Sequence, residues 1–244
     1  MLGVTKMTGS HVHVTKLAAA QRQLRAAIRL FFAAEDELAV HTVASAAYRL
    51  IADLKNERGR DEVADYYLIS VFYVVRDYRR GTLPNHFADD PEAMKWIREM
   101  AEQLPITEST KVEDVRVSVS PETARQYWLK RNRVANFLKH ADRDDRAHVS
   151  LDEVDNFQLL MQALGSYGDL VKDDLGSEGL ILWIYSCVVS GTWNQLPHQY
   201  QDLASKLAEL DPDERLAFCS FAVSKLNASN TQQALAGDAR SART

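Results

Sequence analysis

The chain has 244 residues, 46% of them hydrophobic and 26% charged, with a formal net charge of −5. That length is enough to bury a real core, and the negative balance confines any nucleic-acid role to a local basic patch. Only ten glycines and six prolines argue against a loop-rich or all-β design.

Helix signals run from Thr15 to Asn227. The N-terminal fourteen residues lack the apolar stretch of a signal peptide and are expected to be disordered. Residues 15–34 are rich in Ala, Leu, Gln and Arg, all strong helix formers. A second helix over about 38–56 places Val40, Val43, Ala47, Leu50, Ile51 and Leu54 on one face. A third, over about 61–79, closes on basic residues and Gly81, although its VFYVV centre favours strand. Asp90-Pro91 and Ser120-Pro121 each supply an N-cap followed by proline at the first helical position. The second of these opens a helix expected over 121–143. Ser150-Leu-Asp-Glu153 reads as a capping box starting a helix that runs to about Lys172. An apolar helix over 178–190, a shorter one near 198–210, and one opened by Asp211-Pro212 complete the series.

Residues 107–119 alternate polar and β-branched side chains and predict a short extended arm or a lone hairpin strand. The polar stretch after Asn227 predicts a frayed tail over 229–244. The expected fold is therefore all-α: a single helical bundle of about eight helices over 15–228. Cys187 and Cys219 sit in apolar runs and are expected as buried thiols. The longest apolar run, Leu180 to Val189, is about half of a membrane span. A cytoplasmic protein without membrane contact is expected.

The chemistry-bearing segment is LKRNRVANFLKHADRDDR, from Leu129 to Arg146. Between Arg125 and Arg146 lie seven basic residues against Asp142, Asp144 and Asp145, a local net of +4 in an acidic chain. With Tyr127 set at 0° and about 100° per residue, Val134, Phe137, Leu138 and Ala141 form the predicted core face. Arg133 and His140 fall at about 240° and 220° beside Asn136, on the flank of that face. An arginine beside a histidine can bind phosphate and move a proton near neutral pH, which metal-free RNA cleavage requires. Arg131, intruding into the apolar arc, is a second candidate for the arginine role, and Lys139 adds a further cation.

The spacing Arg133-x6-His140 late in a helical bundle resembles the motif of the HEPN superfamily. The resemblance implies a helical bundle and either a metal-independent RNase that dimerises to join two motifs, or a non-catalytic partner or nucleotide-binding module. That superfamily usually places a polar residue after the arginine, where this chain has Val134. NFLKHADRDD is also similar to a segment of uncharacterised bacterial helical proteins.

His41, with Tyr48 seven residues on, lies at the edge of the second helix, a boundary stripe that favours interhelical hydrogen bonding over catalysis; if that helix packs near 121–143, His41 becomes a partner for His140 or for the same ligand. No CxxC, HExxH, GxxxxGK[ST], GxGxxG or GxSxG motif occurs, so neither a metal nor a cofactor is expected. Two functional readings follow. One is a non-enzymatic interaction module whose basic stripe meets a helix, a partner protein or a second copy. The other is a HEPN-like RNase or defence-type protein in which Arg133 and His140 act on RNA.

Overall fold

The computed structural model describes residues 13–83, 87, 89–107, 109–140, 146–172 and 175–241, with side chains as far as residue 228. The fold is all-α. Among the described residues there are ten α-helices and no strand. The chain divides into two compact units where one body was expected. The first comprises residues up to Leu54 and from Val134 onward, and the second is Lys55–Arg133.

In the first unit, α1 (Lys16–Phe32) is N-capped by Thr15, whose hydroxyl accepts from the Ala18 N–H. Helix α2 (Glu37–Glu57) starts on Asp36, which accepts from the Leu38 and Ala39 N–H groups. The unit continues through α7 (Asn156–Val171), α8 (Ser177–Val189), α9 (His198–Glu209) and α10 (Pro212–Ser241). Helix α8 is apolar nearly all round, and such a helix must be buried on most sides. It packs on α1, α7, α9 and α10. Phe31 and Phe32 of α1, Phe157 of α7 and Tyr185 of α8 meet with ring centroids 5.5 to 6.3 Å apart.

One carboxylate sits inside this apolar packing. Glu178, in the first turn of α8, has no exposed surface. It accepts from Arg25 Nε at 2.9 Å, Arg29 Nη1 at 2.5 Å and Asn227 Nδ2 at 3.1 Å, so α1 and α10 are both tied to the start of α8. Burial pushes the carboxyl pKa up. The hydrogen bonds from Arg25, its own backbone N–H, Arg29 and Asn227 outweigh that and hold it below the usual carboxylate range.

Two terminal expectations are corrected or fall outside view. Helix α10 continues to Ser241 instead of fraying after Asn227. Gln232, Gln233, Ala234, Leu235 and Ala236 are good helix formers, and Asn227 is held by Glu178 rather than acting as a cap. The expected disordered start lies outside the described residues except for 13–14. The Ser150 capping box forms on a 3₁₀ turn, Leu151–Glu153. The helix itself starts at Asn156 on a second cap, Asp155, whose carboxylate takes the Gln158 N–H.

The second unit contains α3 (Glu62–Arg80), α4 (Pro91–Gln103), a 3₁₀ turn at Val112–Asp114, and α5 (Pro121–Arg131). VFYVV is helical, because Asp61 caps the start and Gly81, at φ 66°, adopts the left-handed conformation that closes the end. Its core joins Leu68, Val71, Phe72 and Val75 to Ala101, Ile106 and Val115. The 107–119 segment thus contributes Val115 to the core around one 3₁₀ turn, and no strand forms in its described part. The Arg79 guanidinium donates to the Ala101, Leu104 and Ile106 carbonyls and so satisfies the end of α4. Lys55, 1% exposed, places Nζ 2.6 Å from Glu62 and 2.9 Å from Asp65.

Truncating Glu178→Ala strands two arginines at the start of α8 and is expected to cost about 3 kcal/mol, the low end for a broken buried pair because both arginines keep access to water. Since the folded carboxyl titrates below its ordinary 4.5, its contribution is complete above that value and lost as pH falls below it. Urea midpoints of wild type and Glu178→Gln should converge as pH drops from about 5 to about 3. A gap independent of pH would contradict the assignment.

Candidate functional site

The helix expected over 121–143 is two helices. Helix α5 ends at Arg131, Asn132 takes φ −91° and ψ 2°, and α6 (Arg133–Lys139) resumes after it. The short polar side chain of asparagine favours such breaks, and the Asn132 N–H still bonds the Trp128 carbonyl. The break changes the angular phase of everything beyond it. Val134 and Ala135 are the buried residues of α6, while Phe137, placed on the predicted core face, is 37% exposed.

Each predicted site residue can be placed by itself. Arg131 is half-buried at the end of α5. Arg133 opens α6 and is exposed, and it is the last residue of the second unit. In the first unit, Asn136 and Lys139 are exposed and His140 is half-buried. The His140 N–H bonds the Asn136 carbonyl at 3.1 Å, although the residue lies just past α6. Ala141, Asp142, Arg143, Asp144 and Asp145 lie outside the described residues.

His41 is not at a helix edge. It is buried and bonded to Asn156 of α7, with Nδ1 3.2 Å from Oδ1. The Asn156 amide nitrogen donates to the Glu37 carbonyl at 2.9 Å, which turns its oxygen toward the imidazole. An amide oxygen only accepts, so His41 Nδ1 carries the proton. Tyr48, on the same stripe, is also buried and accepts from Gln162 Nε2 at 2.7 Å. The expected His41–Tyr48 boundary is therefore a polar seam between α2 and α7, made possible by two α7 side chains that no local pattern identifies as its partners.

What sequence reasoning passed over is the aromatic side of α5. None of its eleven residues is buried. Ser120 caps its start by accepting from the Thr123 N–H. It meets the rest of the second unit through aromatic contacts: the Tyr127 ring lies 5.2 Å from Tyr66 and 6.4 Å from Tyr67 of α3, and Trp128 lies 5.1 Å from Tyr127. These four rings are half-exposed and meet tilted or edge-on, with interplanar angles of 49° to 82°. Beyond the rings, Leu129 is 53% exposed.

Charge on this helix is one-sided. It carries three cations, Arg125, Lys130 and Arg131, against one carboxylate, Glu122, and Arg133 follows at the start of α6. Glu122 holds Arg125 in a two-point ion pair of 2.9 and 3.0 Å. That arginine, with Gln126, lowers the Glu122 pKa, and the carboxylate in turn raises that of Arg125. The signal was present in the sequence as RQYWLKRNR, where aromatic and basic residues interleave.

Among the described residues, no group of three or more His, Cys, Asp or Glu side chains is placed to hold a metal. No helix there is long and apolar enough to cross a membrane. Cys219 is buried, and burial pushes its thiol up to about 12, which keeps it protonated and unreactive. Cys187 is half-buried.

Replacing Asn156 by alanine removes both the acceptor of His41 Nδ1–H and the donor to Glu37, and is expected to cost about 1–3 kcal/mol of stability. Chemical denaturation checks this, and an unchanged midpoint would remove the seam from the account. No protein-family model, no curated protein and no solved structure matches this chain.

Proposed function

We propose that this protein is a non-enzymatic helical interaction module that receives an anionic partner on the α5 face of its second unit. The observation that carries the reading is an eleven-residue helix with no buried residue and three cations against one carboxylate, with Arg133 a fourth cation just past its end. A helix with no fully buried residue adds little to the core, since helical stability in proteins comes mostly from packing an apolar face. Its exposed surface is then available to a partner, and the charge states the partner's sign. Long basic side chains on one helix attract polyanions, and the attraction falls with added salt.

The reading is tested with labelled inorganic polyphosphate and the full chain by fluorescence anisotropy. Binding is expected, with an affinity at least tenfold lower in Lys130→Glu/Arg133→Glu. Equal binding by wild type and the double variant would move the anion away from α5. Incubation with end-labelled RNA in chelator is expected to leave the RNA intact. Cleavage that disappears in His140→Ala would overturn the non-enzymatic part and favour the Arg133/His140 RNase reading.

A further inference from the structure

We infer that the anion is a single-stranded nucleic acid, held by its base faces on the α3–α5 aromatic shelf and by its phosphates on the α5 cations. The inference rests on the reading above and names the partner of that same surface.

The rings and the charges are interleaved on the same elements. Tyr127 lies three residues before Lys130 and shares its face of the helix, so a base against that ring brings its own backbone to the ammonium group. The shelf continues along α3: Tyr73 is seven residues from Tyr66, nearly two turns, and therefore lies on the same face. Tyr73 is 43% exposed and carries the Arg76 guanidinium 4.6 Å from its ring centroid, where Asp77 accepts from it at 3.0 and 3.1 Å. An arginine over a ring in this position offers a nucleotide both a flat surface and a cation.

A polyanion without bases would use the cations and leave the rings idle. Duplex nucleic acid hides its base faces in the stack, so it too would meet the charges alone. Single strands present π-faces and phosphates alternately, and aromatic rings between basic residues match that alternation. An acidic peptide would satisfy the charges, but its carboxylates give the half-exposed rings of Tyr66, Tyr127 and Trp128 nothing to stack on. Ring faces recognise any base and do not contact the sugar, so ribose and deoxyribose strands are expected to bind alike.

The test uses the full chain and four labelled probes: a 15-mer of uridine, a 15-mer of thymidine, a 15-base-pair duplex, and inorganic polyphosphate of matched charge. The two single strands are expected to bind within about threefold of each other and at least tenfold tighter than the other two probes. Tyr73→Ala changes an exposed side chain, and circular dichroism checks that the variant folds as wild type. It is expected to weaken the single strands about fivefold or more, the lower range for loss of one stacked base, and to leave polyphosphate unchanged. Lys130→Glu should weaken both. If polyphosphate binds and the single strands bind no tighter, the base-stacking inference is overturned and the basic-face reading stands. If neither binds, both are overturned. Competition by an acidic peptide that also depends on Tyr73 would overturn it in favour of a protein partner.

Discussion

One buried carboxylate ties three helices of the first unit together. Glu178 stands at the start of the most apolar helix of the chain with no exposed surface, where an unpaired charge would be intolerable. Two arginines one turn apart on α1 and an asparagine on α10 converge on it, and each comes from a helix already packed on α8. Apolar packing brings the helices together but is tolerant of sliding and rotation. Hydrogen bonds from Arg25, Arg29 and Asn227 to two oxygens are not, so the carboxylate sets the register of α1 and α10 on α8. The seam of His41 with Asn156 and Tyr48 with Gln162 does the same for α2 and α7.

The second unit follows the same logic with other residues. Lys55 and Glu62 form a buried pair at the α2–α3 turn, and Arg79 gathers three carbonyls at the end of α4. Around Leu68, Val71, Phe72 and Val75, the core is completed by Ile106 and Val115 from segments without regular structure. Helix α5 stands apart from this economy. It is held by aromatic contacts to α3 and none of its residues is buried, which makes it the surface proposed above to receive an external partner.

Helix existence was legible because caps and periodicity are local. Asp90 and Ser120 cap as expected and Gly81 ends α3, while the structure adds caps at Thr15 and Asp61. What was not legible depends on distant partners. No local pattern shows that Glu178 meets Arg25 and Arg29, whose separations along the chain exceed a hundred residues. His41 was placed at a boundary for the same reason: its burial depends on Asn156. The angular reading of Leu129 to His140 assumed an unbroken helix, and the interruption at Asn132 invalidated the phase for Phe137. The basic segment itself was visible. The aromatic shelf beside it needed Tyr66 of α3, which only the fold brings to Tyr127.

Nucleic acid bound as proposed would cover α5 and the outer face of α3. Hydrogen exchange of the backbone amides, followed by mass spectrometry with and without the thymidine 15-mer, addresses this without any mutation. Slower exchange confined to peptides covering 121–133 and 62–76 is the expected result. Protection located in other peptides, with these two unchanged, would contradict the account.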